Sequence, residues 1–238
     1  MKPVVFVVSL AMLYALAYAQ PAAPKPQDGG GLDRIDHLVY ATPDLQRGID
    51  AVEKQLGITA TPGGQHPGLG TRNALVALGP ASYLEIIGPD PDQPKPAGPR
   101  RFGIDDLKTP RIVRWVVKSS ELAAMKAKAD NAGVTLGAIA AGSRKRPDGV
   151  VLSWRYTDPA VTVADGLVPF FIDWGTSPHP ALTAAKGATL VQLRAQHPDA
   201  SRVQKMIDQL GLDLRVSQAS APAIIATIDS PRGRVELR

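Results

Sequence analysis

Short apolar runs alternate along the chain with stretches whose apolar residues recur every three or four positions, and the alternation returns three times. Residues 35–40 (IDHLVY) form a short, mostly apolar run that predicts a strand. Thr42-Pro43-Asp44 supplies a turn and a helix start, after which Leu45, Ile49, Val52 and Leu56 share one helical face. Gly57 closes that helix, since a helix end needs a left-handed residue that glycine adopts freely. Runs at 73–78 and 83–87 predict two strands joined by Gly79-Pro80-Ala81-Ser82.

The same order follows at 112–117 (strand), then a helix opened by Ser119-Ser120-Glu121 with Leu122, Met125 and Ala129 on one face. Gly133 ends it, and 150–156 and 169–174 read as strands. A third round has a strand at 189–194 and a helix opened by His197-Pro198-Asp199, with Val203, Met206, Ile207 and Leu210 facing inward. Gly211 and strands at 223–228 and 234–237 complete it. Gln55-Leu56-Gly57-Ile58 matches Gln209-Leu210-Gly211-Leu212, and Pro43-Asp44 matches Pro198-Asp199, at offsets of 154 and 155; Leu45 and Leu122 stand at half that, 77. With a weak strand after each helix the unit is βαβββ. One helix covers one face of such a sheet, so the bare face must close on a second copy. The expected fold class is α+β: repeated βαβββ modules (about 33–88, 111–175 and 188–238, within a domain at 32–238) forming curled, mostly antiparallel sheets, an open barrel with helices on its outer face.

The N-terminus departs from this pattern. Lys2 precedes an apolar run ending near Leu16, and Ala17-Tyr18-Ala19 offers a small-x-small cleavage site, so 1–19 reads as a secretory signal peptide. Residues 20–31, rich in Pro and Gly, read as a flexible tether, and 88–100, with five prolines, as a surface connection between units. The expectation is a secreted or periplasmic protein with no membrane contact after cleavage. The absence of cysteine excludes disulfide scaffolds and thiol nucleophiles. A net charge of +5 with scattered basic residues gives no nucleic-acid surface. Gly-x-Ser-x-Gly and HExxH are both missing, which removes the serine hydrolases and zincins. The partners left are a small-molecule substrate or ligand and a second copy of the chain in a homodimer.

Several side chains carry candidate chemistry. His37, flanked by Ile35 and Val39, is a ligand or a hydrogen-bonded pocket histidine. Glu85, between Leu84 and Ile86, is a pocket carboxylate, or by strict alternation a residue on the wet face of its strand. His66 lies in the Gly-rich segment GGQHPGLGTRN, which lacks the Lys-Ser/Thr of a P-loop, and Asn73 ends it, as a substrate-orienting amide or a turn cap. Arg144-Lys145-Arg146 before Pro147-Asp148-Gly149 reads as a solvated hairpin tip, and Trp154 and Trp174 as core.

Asp36-His37-Leu38-Val39-Tyr40, Thr42-Pro43-Asp44-Leu45, the segment from Gly63 to Leu75, and Tyr83-Leu84-Glu85-Ile86-Ile87 together resemble the glyoxalase-like branch of the vicinal oxygen chelate (glyoxalase/bleomycin resistance/dioxygenase) superfamily. Ser143 to Gly149, Pro169 to Trp174, His179-Pro180 and Gly187-Ala188-Thr189 are similar to later parts of the same branch. The resemblance covers residues 33 to about 195, and the repeat carries it to the C-terminus. It implies paired βαβββ units around a divalent metal, held by a His or Gln on the first strand of each unit and a Glu on the last. In the first unit those positions are His37 and Glu85; in the third they are Gln192 and Glu236; in the second they are Arg114 and Asp173. Charged arginine cannot ligate, so either the first and third units share a metal or none is bound. The donor set suits Zn, Mn, Fe or Ni. The resemblance further implies Glu85 and His37 as catalytic groups, with His66, Asn73 and Arg146 holding substrate, Arg146 through a carboxylate. The expected function is an exported metal-dependent lyase or isomerase acting on a small oxygenated substrate. The alternative is a non-catalytic periplasmic small-molecule binder on the same fold.

Overall fold

A computed structural model describes residues 31–238, so the expected signal peptide at 1–19 and nearly all of the expected tether at 20–31 lie outside the described residues. The first unit comprises β1 (Ile35–Ala41), α1 (Leu45–Leu56), β2 (Thr61–His66), β3 (Thr71–Gly79) and β4 (Ser82–Pro89). The second comprises β5 (Arg111–Lys118), α2 (Leu122–Asn131), β6 (Ile139–Lys145), β7 (Val151–Thr157) and β8 (Phe170–Asp173). The third comprises β9 (Thr189–His197), α3 (Ala200–Gln209), β10 (Arg215–Gln218), β11 (Ala223–Ser230) and β12 (Gly233–Leu237). The caps stand where their residue types ask for them. Asp44 accepts from Arg47 N at 3.1 Å, and Gly57 takes φ +71°.

The first two units share one eight-stranded sheet in the order β2-β3-β4-β1-β5-β8-β7-β6. β1 pairs in parallel with β4, β5 in parallel with β8, and β1 meets β5 antiparallel at the centre. The two halves are related by a pseudo-two-fold: Ala41 pairs with Ile87 as Lys118 pairs with Ile172, and Thr42 N and Ser119 N each donate to the carbonyl of that isoleucine at 2.9 Å. The axis runs between the cross-strand pairs His37–Val116 and Val39–Arg114. The sheet curls until its edge strands approach: the Arg144 guanidinium on β6 donates to the Gly63 carbonyl on β2. Gly64 there has φ +137°, and a Cβ on it would meet the Lys145 carbonyl at 2.6 Å. The Gly63-Gly64 pair is what lets the edges come this close.

The convex face of this sheet buries Leu38, Leu84, Ile86 and Trp115 in one apolar cluster with Val52 and Leu56 of α1 and with Leu193, Ile224 and Ile228 of the third unit. The third unit differs from the expected repeat. Its sheet runs β10-β9-β11-β12, so β9 lies between β10 and β11 and does not pair with β12 as β1 pairs with β4. Element order is repeated while strand order is not, and β11 backs onto β5 instead of extending the barrel. Residues 90–100 contain no regular element, and they are tied along β3 by Asp90 and Asp92 beside Arg72 at 3.5 and 3.0 Å. Among the described residues no helix is long and apolar enough to cross a membrane.

Candidate active site

The concave face of the large sheet forms a half-open cleft with polar groups at its floor. Its residues arrive there through a backbone irregularity. Leu38 and Tyr40 point to the convex core, and Val39 and Ala41 to the concave side. Plain alternation would send Ile35 and His37 to the same face. A β-bulge between Ile35 and His37 breaks the alternation, so that Ile35 joins the convex core while His37 lines the cleft. The extra residue, Asp36, is thereby turned beside its neighbour.

Asp36 is fully buried and accepts three donors: His37 Nδ1 at 2.7 Å, Trp174 Nε1 at 3.1 Å and His179 Nε2 at 3.2 Å. Burial pushes its carboxyl up, but the hydrogen bonds from His179 and His37 outweigh that and hold it well below the usual carboxylate range. An ionised Asp36 can only accept, so His37 Nδ1 carries a proton. In the neutral ring the Nε2 lone pair then faces the cleft. Tyr83 stacks on this ring at 4.6 Å and Phe170 meets its edge at 6.0 Å, which fixes its plane.

Glu85 lies on the same floor, buried, with Oε1 accepting from Asn73 Nδ2 at 2.5 Å. His37 Nε2 stands 3.8 Å from Glu85 Oε2, and His66 Nε2 stands 3.7 Å from Glu85 Oε1. His66 Nδ1 contacts Thr71 Oγ1 at 3.0 Å, and Asn73 Nδ2 is 3.3 Å from His66 Nε2. Burial lowers the pKa of His66, against the pull of Glu85, so its ring is neutral. Two imidazole Nε2 atoms and a carboxylate, all acceptors in this state, therefore converge with only one amide NH₂ among them. Asn73 Oδ1 is buried without a partner. A group bearing positive charge or an acidic proton completes such an arrangement.

Above this floor the walls are aromatic, with Phe102 near Phe170 (6.3 Å) and Trp154 near Trp174 (5.2 Å). Arg101 donates to the Tyr156 hydroxyl at 3.0 Å and pairs with Asp158 at 3.4 Å. Arg144 also lines the cleft, 3% exposed.

His37, His66, Asn73 and Glu85 thus meet in one cleft, with Glu85 on its inner face and not on a wet one. Arg146 does not join them. It sits on the hairpin turn, bound to Asp148 (Nε–Oδ1 3.0 Å), and the inward arginine is Arg144, two residues earlier. Gln192 and Glu236 lie on the other sheet, in one row on either side of Thr227, with Glu236 exposed and paired to Arg194 at 2.7 Å. The second-unit counterpart of Glu85, two pairs before Ile172, is Phe170 and not Asp173, whose carboxylate accepts from Gly175 N at 2.8 Å. Trp154 and Trp174, read as core, line the cleft. Asp36 and Arg144 were missed. Asp36 is hidden by strand alternation until the bulge is seen, and three consecutive basic residues give no sign of which one turns inward.

A family profile described as a glyoxalase-like domain matches residues 35–211. None of the curated proteins matches the chain. Among solved structures, a hypothetical protein from Staphylococcus aureus is 13% identical and superposes with a TM-score of 0.61, covering 79% of this chain and 87% of that one. Methylmalonyl-CoA epimerase from Mycobacterium tuberculosis is 20% identical over 63% of this chain and 92% of that one, with a TM-score of 0.38. A Streptomyces coelicolor methylmalonyl-CoA epimerase variant in complex with 2-nitronate-propionyl-CoA is 18% identical over 62% and 98%, with a TM-score of 0.42.

Proposed function

The chain belongs to the glyoxalase-like domain family of the vicinal oxygen chelate superfamily, and from that premise we propose that it is a lyase- or isomerase-type enzyme that moves a proton on a small oxygenated molecule, with Glu85 as the base. The observation that carries this reading is the meeting of Glu85 with His37 Nε2 and His66 Nε2 at the floor of an aromatic cleft. A carboxylate fixed on the cleft floor beside two imidazoles is placed to take a proton from a bound substrate. Asn73 fixes its orientation through Oε1, leaving Oε2 for a substrate C–H beside a carbonyl. Once protonated, Glu85 becomes the acid that returns the proton to a neighbouring position. His37, held by Asp36, and His66, held by Thr71, offer lone pairs to a substrate hydroxyl.

A divalent metal fits this floor by donor type, though not in the four-donor set that paired units would supply. Arg114 and Phe170 occupy the second unit's positions, and Gln192 and Glu236 are on another sheet. His37 Nε2, His66 Nε2 and a Glu85 oxygen remain, beside the unpartnered Asn73 Oδ1. Two imidazoles and a carboxylate suit Zn, Mn, Fe or Ni with open positions. As the side chains stand, no three such groups among the described residues are close enough to enclose an ion. When bound, the ion would polarise substrate oxygens and favour loss of the neighbouring proton.

The second reading is a non-catalytic small-molecule binder, and Arg114 and Phe170 at the second unit's positions favour it. Incubation in D₂O with carbonyl compounds, followed by proton NMR, separates the two. Under the enzyme reading the protein incorporates deuterium next to the carbonyl, faster with added Zn, Mn or Ni and slower with a chelator. Saturable binding without exchange under all these conditions supports the binder. The proposal includes export: N-terminal sequencing of protein from an expressing cell begins at Gln20, and an intact Met1 overturns that part.

A further inference from the structure

We propose that the cleft takes an aromatic monocarboxylate, its carboxylate bound by Arg144 and its ring packed on the wall formed by Phe102, Trp154, Phe170 and Trp174. This rests on reading the cleft as the substrate site; it does not depend on the proton transfer.

Arg144 carries the argument. Arg144 is buried on β6 and is among the residues lining the cleft, and its Nη1 donates to the Gly63 carbonyl. Among the described residues no carboxylate ion-pairs with it. A guanidinium has five N–H donors, and a buried charge without a counterion in contact is costly. Burial correspondingly lowers its pKa, with Tyr83 and Glu85 acting on it only from a distance. The other cation of the cleft, Arg101, already has Asp158. One buried, planar, two-pronged cation without its anion matches a carboxylate, which accepts two parallel N–H bonds from such a fork. Among the described residues lining the cleft, Arg144 is the one cation without a carboxylate, and with Glu85 on the same cleft this argues against a dianion such as a phosphate monoester, which Glu85 would repel.

The walls set the rest of the molecule. Phe102 and Phe170 lie nearly parallel (23°) at 6.3 Å, and Trp154 and Trp174 are inclined at 53° at 5.2 Å. These faces favour offset or edge contact with another ring. An acid with its ring on this wall and its carboxylate at Arg144 reaches towards Glu85 with the carbon between them, where a carbonyl and its acidic C–H belong.

The test is calorimetric titration of the full mature chain with benzoate, phenylacetate and phenylpyruvate, with their neutral counterparts benzamide, phenylacetamide and phenylacetone, and with pyruvate as the ringless acid. The wild type binds at least one aryl acid about tenfold or more tighter than its neutral counterpart, equivalent to about 1.4 kcal/mol. It also binds phenylpyruvate more tightly than pyruvate. Arg144→Met brings acid and neutral compound level, and Arg144→Lys restores part of the gap. Equal binding of acid and neutral compound by the wild type overturns the proposal, as does binding of none of the acids, or pyruvate bound as tightly as phenylpyruvate. The wild-type comparison decides even if Arg144→Met does not fold. Acid-selective binding without deuterium exchange removes the proton-transfer reading and leaves this one; exchange on neutral ketones with no acid preference does the reverse.

Discussion

Asp36 shows how much a single buried carboxylate arranges. It fixes the His37 ring through Nδ1 and holds Trp174 and His179 from the second unit's side of the cleft. Replacing it by Asn removes the charge from all three bonds. Hydrogen bonds to charged groups contribute about 1.5–3 kcal/mol each, so Asp36→Asn lowers the unfolding free energy by at least the worth of one such bond, read as a lower denaturant midpoint. The pH dependence has a definite sign. The folded carboxyl is held below its ordinary value of 3.8, so on acidification the unfolded chain takes the proton first. The stabilisation is complete above that value and is lost as pH falls below it. Urea midpoints measured from pH 6 down to pH 3 therefore fall more steeply in wild type than in Asp36→Asn; parallel curves would deny Asp36 this role. At this scale the sequence showed His37 and Glu85, because a histidine and an acid within apolar strands stand out, and His66 and Asn73, because they punctuate an unusual Gly-rich segment. It concealed Asp36, whose neighbour should face the other way, and it favoured Arg146 over Arg144, because where a strand ends within a basic run is set by the hairpin and not by the residue types.

Among the elements, the helices and the apolar strands were legible from periodicity and caps, and the weak ones were not. β2 reads Thr-Pro-Gly-Gly-Gln-His and has no strand signature, yet it pairs with β3 and carries His66. Its regularity comes from its neighbour and from the opposite sheet edge, not from its own propensity. Gly63 is the tight point: a Cβ there would clash with Asn73 Oδ1. Gly63→Ala must push Asn73 off Glu85 or part β2 from β3. Overpacking of this kind costs about 1–3 kcal/mol. The expected outcome is a lower melting temperature together with weakened ligand binding, read by differential scanning calorimetry and titration, and a variant indistinguishable from wild type in both would contradict the packing described for the cleft floor.

For the whole molecule, the barrel of two units and the third unit are one hydrophobic body. Ile112, Trp115 and Val117 on the back of β5 share their cluster with Leu193, Ile224 and Ile228. Uncovering a large apolar side chain costs about 1.5–3 kcal/mol, so these three alone approach the stability of an ordinary domain. A chain ending at Gly187 is expected to lose cooperative melting and to aggregate on gel filtration; a monodisperse, cooperatively melting fragment would show the barrel to be self-sufficient. The repeated element order was visible in sequence, but the third unit's strand order was not, because periodicity tells which face of a strand is buried and not which strand lies beside it. That is why Gln192 and Glu236, in register by repeat, sit away from the cleft, and why the polar floor belongs to the first unit. The central claim is that this floor transfers a proton through Glu85. The most direct measurement is deuterium incorporation into bound phenylpyruvate by wild type and by Glu85→Gln under saturating ligand. The account predicts exchange by wild type and a loss of about 10²–10⁴-fold in the variant with affinity retained; exchange at the same rate in both proteins would contradict it.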